Sequence, residues 1–177
     1  MKNTIVTSIF LLFLALSMNA QNWKTPTIEG YGRIVEYEDV AVKPDPTMEY
    51  KLLFHITTAK EREGVNVALW KMARTINLLE SGGVPKKNIQ LVGVISGAAT
   101  PVTLTEEAHR EKMGVSNPNL ELLKKLTAYG ASIHLCGQAA AKKNIDPNVD
   151  MNQYTKLTLS ALIDIPTYQM QGYVIMF

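Results

Sequence analysis

Cysteine is nearly missing from this chain of 177 residues: Cys136 stands alone. A single thiol cannot close an intrachain disulfide, so no disulfide framework supports the fold. Metal-binding spacing is missing as well. The three histidines fall at 55, 109 and 134, with no C-x-x-C and no H-E-x-x-H, so no metal site and no cofactor are expected. The glycines form no dinucleotide or phosphate loop. The run Gly93-Val94-Ile95-Ser96-Gly97 lacks the G-x-G-x-x-G spacing that lets a backbone approach a pyrophosphate. Charge of one sign is not in excess either. Eighteen basic against sixteen acidic side chains leave a formal +2, which advertises neither nucleic acid nor an anionic lipid surface. With 46% apolar and 19% charged residues, a disordered chain, a collagen repeat and a coiled coil are excluded. There is no internal repeat.

What is present begins with an apolar stretch. Met1-Lys2-Asn3 carries one Lys, and Ile5 to Met18 is almost wholly apolar before polarity returns at Asn19-Ala20-Gln21. A charged start, a short apolar stretch and a small residue before a polar one describe a secretory signal peptide. The stretch is short for a membrane span. Residues 1–20 are therefore read as a signal peptide cleaved after Ala20. That places the remainder in the periplasm or outside the cell, with no membrane attachment after cleavage. Structural disulfides are usual there, which makes a lone Cys unusual.

Residues 21–49 read as an extended arm. Thr25-Pro26, Gly30-Tyr31-Gly32 and Lys43-Pro44-Asp45-Pro46 oppose helix, and Tyr31, Ile34, Val35 and Tyr37 are available to dock the arm. From residue 50 to 177 strand and helix alternate. Apolar runs at Lys51–Ile56, Ile89–Ile95, Ala131–Cys136, Leu157–Leu162 and Tyr173–Phe177 read as strands. Val65, Leu69, Met72, Ile76 and Leu79 recur at helical spacing, and Gly82-Gly83 and Pro85 stop that helix. Thr103 and Glu106 read as a capping box, Asn117-Pro118 opens a helix ending near Gly130, and Gln138–Lys143 is a short helix. Asn66 and Trp70, four apart, read as an exposed or intersubunit face. Buried strands separated by helices imply an α/β fold: a mostly parallel five-stranded sheet in three layers, α/β/α.

In such sheets ligands meet the loops at the carboxyl ends of the strands. That rule nominates His55, Ser96, Gly97, His134, Cys136, Gly137 and Gln138. Cys136 ends the third strand just before a helix, where free N–H groups and the helix dipole favour the thiolate. Gly137 allows close approach of another backbone or a ligand. His134, two residues earlier on the same face, is a possible acid or base for the thiol; the alternative is a packed histidine with an ordinary hydrogen bond. His55 with Thr57-Thr58 offers weak anion-binding chemistry, set against plain turn chemistry.

Several stretches carry a family likeness. Tyr50-Lys51-Leu52-Leu53-Phe54, Val65-Asn66-Val67-Ala68-Leu69-Trp70 with Ala73-Arg74, Gly83-Val84-Pro85, Ser116-Asn117-Pro118-Asn119-Leu120, Leu135-Cys136-Gly137-Gln138-Ala139 and Gln171-Gly172-Tyr173 resemble the DsrE/DsrF-like family. Thr27-Ile28-Glu29-Gly30-Tyr31-Gly32 is similar to its exported members. The resemblance implies a sheet ordered 4-3-2-1-5 and homo-oligomers, often trimers or hexamers. It also implies sulfur relay, with a persulfide carried on a Cys that Cys136 matches, and a carrier rather than a conventional enzyme. One departure stands out: many exported relatives carry His-Gly after the second strand, where this chain has Ser96-Gly97. The leading expectation is an exported sulfur-handling protein that uses Cys136, partnered by itself and by a sulfur donor or acceptor of unknown identity. A non-catalytic oligomeric scaffold is the alternative, and a small-ligand or metal binder a weaker one.

Overall fold

The computed structural model describes residues 21–176. The expected signal peptide and Phe177 lie outside the described residues. In chain order the elements are β1 (Tyr50–Ile56), β2 (Glu61–Arg62), β3 (Val65–Asn66), α1 (Val67–Ser81), β4 (Ile89–Ile95), α2 (Glu106–Met113), α3 (Leu120–Tyr129), β5 (Ser132–Cys136), α4 (Gly137–Lys142), β6 (Lys156–Thr158), α5 (Ala161–Met170) and β7 (Val174–Met176). Short 3-10 turns at Lys86–Asn88 and Gly97–Thr103 flank β4.

The main sheet runs β6-β5-β4-β1-β7, and every pairing in it is parallel. Counted by its own strands this is the order 4-3-2-1-5. Alternation of side chains along each strand separates two cores. Leu52, Phe54 and Ile56 of β1, Leu91 and Ile95 of β4 and Ile133 of β5 meet Leu69, Met72 and Ile76 of α1 and Leu122, Leu123 and Leu126 of α3. On the opposite face Leu53, Val92, Val94 and Cys136 meet Ala161, Ile165 and Tyr168 of α5. A smaller cluster joins Leu135 to Leu104, Ala108, Ala140 and Ile145. The result is three layers. Each large aliphatic side chain so buried contributes about 1.5–3 kcal/mol. Gly93 in mid-β4 is part of the fit: a Cβ there would lie 3.1–3.3 Å from Ile56, Ile133 and Met72.

The arm is irregular but docked. Its one ladder contact is an isolated bridge between Lys24 and Ile34. Ile28 and Ile34 are buried, and Gly32 (φ +64°) lies so close to α1 that a Cβ would stand 2.2 Å from the Arg74 amide nitrogen. Asn77 of α1, fully buried, accepts from the Thr27 and Ile28 amides at 3.0 and 2.8 Å. It donates to the Tyr31 and Gly32 carbonyls at 2.9 and 3.0 Å. A peptide segment with no strand partners is thus satisfied by one side-chain amide.

Three sequence expectations need correction. Leu157–Leu162 is not one strand. β6 ends at Thr158, and Ser160 caps α5 by accepting from the Leu162 amide at 3.2 Å. Pro166 sits inside α5; the carbonyl it leaves unpaired belongs to Leu162, a residue 83% exposed to water. The cap of α2 is Thr105, not Thr103: its hydroxyl accepts from the Ala108 amide, while Thr103 bonds back to the Thr100 carbonyl. Asn66 and Trp70 do not form an exposed face. Both are buried, Asn66 within the β2–β3 hairpin and Trp70 behind it. The Asn66 amide nitrogen donates to Asn119 Oδ1 at 2.7 Å. The Trp70 indole donates to Glu63 at 2.9 Å, and the guanidinium groups of Arg62 and Arg74 lie 3.9 and 4.0 Å from its ring.

Candidate functional site

Three parallel strands bring the sequence-nominated residues to one edge of the sheet. β1, β4 and β5 end together, with Ile56 opposite Ile95 and Ile95 opposite Leu135. One step further along lie Ser96 and Cys136, about 5 Å apart at the backbone by strand spacing. The Ser96 hydroxyl lies 3.2 Å from His55 Nε2, so β1, β4 and β5 each contribute a polar side chain to the same edge. The Ser96 amide bonds to the Ile56 carbonyl, and the Ala98 amide to the Thr57 carbonyl. Gly97 makes that approach possible: it adopts φ +59°, and a Cβ there would come 3.3 Å from the Thr57 carbonyl oxygen. His55 is half-buried, and burial alone depresses its imidazole below the ordinary value. It is therefore neutral at neutral pH.

Cys136 is 5% exposed and stands at the N-cap of α4. Burial pushes its thiol up. The neighbouring backbone amides of Ala161, Ala139 and Gln138 and the Ser160 hydroxyl more than offset that, and the net shift is downward. Two helix N-termini, those of α4 and α5, converge on one atom. Hydrogen bonds to the charged form and the positive ends of both dipoles favour the thiolate. Gly137 is required for this convergence. A Cβ on it would lie 2.7 Å from the Thr158 carbonyl oxygen and 3.3 Å from that of Leu159. The Gln138 side chain ties the same junction, donating to the Leu159 carbonyl at 3.2 Å.

The contribution of α5 went unread in the sequence. Ser160 falls inside the apolar run Leu157–Leu162 that reads as a strand, although a Ser opening an apolar stretch with an acid in the first turn, here Asp164, is a helix-start signal.

His134 faces the same side of β5 as Cys136, under α5, but its ring nitrogens are occupied elsewhere. Nδ1 lies 2.9 Å from Asp164 Oδ2 and Nε2 lies 2.8 Å from Ser132 Oγ. The structure therefore brings His55, Ser96, Gly97, Gly137 and Gln138 to the rim around Cys136, and directs His134 away from the thiol.

A separate cavity of about 230 Å³ is walled by Asn66, Ala99, Val102, His109, Met113 and Asn119 among others. It includes neither Cys136 nor His55. Its histidine is held by a 2.8 Å bond between Nδ1 and the Val115 carbonyl. Among the described residues no three His, Cys, Asp or Glu side chains converge as a metal site would require.

A family model described as the DsrE/DsrF-like family matches residues 50–177. No curated protein matches the chain. Among solved structures, a protein of unknown function from Methanobacterium thermoautotrophicum is similar, with a TM-score of 0.55 and 16% identity over 72% of this chain and 97% of that one. At that identity the likeness speaks for the fold alone.

Proposed function

This chain belongs to the DsrE/DsrF-like family, and from that premise we propose that it is an exported sulfur-handling protein in which Cys136 accepts and carries a sulfane sulfur. One feature carries the reading: the Cys136 sulfur lies at the N-cap of α4 and beside the start of α5, where the surrounding amides and the Ser160 hydroxyl draw the thiol below its ordinary value in spite of its burial. In the step proposed, the Cys136 thiolate attacks the outer sulfur of a donor persulfide, R–S–SH. A Cys136–sulfur bond forms, the donor S–S bond breaks, and the donor leaves as its thiolate. No external oxidant or reductant is consumed. The same donor cradle would hold the terminal sulfur of the product as an anion. His55, with a neutral ring, and Ser96 would meet the incoming sulfur at the rim, and Gly97, Gly137 and Gln138 would shape its entry. The donor or acceptor is a persulfide- or thiol-bearing partner.

Mass spectrometry of protein purified natively and without reductant tests this. One added sulfur on Cys136, removed by dithiothreitol, is the expected result. An unmodified Cys136 with a thiol pKa near the free value of about 8.5 would overturn it.

A second reading, an oligomeric scaffold without catalysis, draws on the 5% exposure of Cys136 and on exposed apolar side chains around α5. These are Leu157, Leu159, Leu162, Ile163, Met170 and Val174. A trimer or hexamer would cover them. If Cys136→Ala preserves every phenotype while substituting Leu162 and Met170 dissolves the oligomer in light scattering, the scaffold reading prevails.

A further inference from the structure

The bonds that turn His134 away from Cys136 assemble something else. Ser132 Oγ lies 2.8 Å from His134 Nε2, and His134 Nδ1 lies 2.9 Å from Asp164 Oδ2. An ionised carboxylate only accepts hydrogen bonds, so Nδ1 must carry the proton. In the neutral ring that leaves Nε2 as the acceptor of the Ser132 O–H. This is the tautomer and the order of groups that activates a hydroxyl: nucleophile, base, and a half-buried carboxylate orienting the base. The support is rigid. His134 and Asp164 side chains are only 9% and 13% exposed, and the Tyr168 ring packs 5.7 Å from the imidazole. Ser132 is half-buried at the amino end of β5. Exposed Lys156 places its Nζ 3.5 Å from the Ser132 oxygen, a positive charge beside the nucleophile. Cys136 lies at the carboxyl end of the same strand.

We propose that Ser132, His134 and Asp164 form a second nucleophilic site, separate from Cys136, that reacts with activated esters bearing small acyl groups. Ser132 Oγ bonds to the carbonyl carbon while its proton passes to His134 Nε2. The tetrahedral oxyanion collapses, breaking the bond to the leaving alcohol, which departs with that proton. Water, deprotonated by the same imidazole, then hydrolyses the acyl-serine and releases the carboxylic acid. Asp164 stabilises the imidazolium in both halves. Lys156 is drawn to the oxyanion, and its charge favours acyl groups carrying a carboxylate.

The test is labelling of the intact, folded protein with a fluorophosphonate probe, which reacts with activated serines, followed by tandem mass spectrometry. A single adduct on Ser132 is expected. His134→Gln should slow its formation by about 100-fold or more, the usual worth of a general base, and Asp164→Asn should slow it as well. Because those variants can disturb packing, the wild type is also treated with the probe in urea, where labelling of Ser132 should vanish with the fold. Absence of an adduct on the folded wild type, or an adduct that forms equally fast in urea, overturns the proposal.

Discussion

The docking of the arm rests on Asn77, and replacing that residue by alanine tests how the arm is held. The side-chain amide closes four hydrogen bonds to the arm backbone, two received and two donated, all between 2.8 and 3.0 Å. Of these the bonds to the Ile28 amide and the Gly32 carbonyl are buried; the other two reach water more readily. Stranding a buried polar group costs about 1–3 kcal/mol, so the two buried groups alone set a loss of about 2–6 kcal/mol. A domain of this size has about 5–15 kcal/mol in all. With a urea slope of about 2 kcal/mol per molar, a loss of about 3–4 kcal/mol lowers the unfolding midpoint by about 1.5–2 M. The loss is capped by undocking: if releasing Ile28 and Ile34 is cheaper than burying orphaned amides, the arm lifts off instead. Hydrogen exchange checks both outcomes against the wild type, because the Thr27 and Ile28 amides lose protection either way; the size of the urea shift separates them. Asn77→Asp is no remedy, since a carboxylate accepts the two amides but confronts the two carbonyls. A loss below about 1 kcal/mol with Thr27 and Ile28 as protected as in the wild type would refute the reasoning.

Other outcomes follow from the same geometry. Gly32→Ala drives a Cβ to 2.2 Å from the Arg74 nitrogen, a backbone atom that cannot step aside, and should cost at least about 2 kcal/mol in urea unfolding. Gly137→Ala, with its Cβ 2.7 Å from the Thr158 carbonyl oxygen, should separate α4 from β6, lower stability by about 1–3 kcal/mol and slow alkylation of Cys136. The rate of alkylation of Cys136 by iodoacetamide should reach half its plateau below pH 8.5, the free-thiol value, because the α4 and α5 donors outweigh burial. A folded pKa below the unfolded one gives stability that is present above the unfolded pKa and is lost as pH falls through the folded one; Cys136→Ser should remove that pH dependence. His55 is depressed by burial, so its NMR titration should centre below 6.5. It likewise withdraws stability as pH falls from 6.5 toward its folded value.

The strands were readable because sheet burial writes itself as short apolar runs. β1 and β4 sit where Lys51–Ile56 and Ile89–Ile95 read as strands, and α1 shows the 3.6 periodicity of one buried face. α5 was not readable for the opposite reason. It covers the sheet while leaving Leu162, Ile163 and Met170 in water, so its apolar pattern has no clean stripe, and Pro166 argues against a helix in isolation. The position of Cys136 at a strand end before a glycine was legible. The second helix start that caps its sulfur was not, because the chain between residues 143 and 160 returns by a path that local pattern does not encode. Asp164 meets His134 across 30 positions, and no spacing rule links such a pair. Trp70 reads as part of an exposed or intersubunit face because the covering pieces, two strands of two residues each and two arginines, carry almost no strand signal of their own.

The placement of β7 has a consequence in time. The sheet's first strand in sequence, β1, is hydrogen-bonded on one side by β4 and on the other by β7, Leu52 with Val174 and Phe54 with Met176. Until β7 pairs, β1 is an open edge, and the contact that closes it joins residues about 120 positions apart, the slowest kind of contact to form. The full cooperativity of the sheet therefore waits on its longest-range pairing.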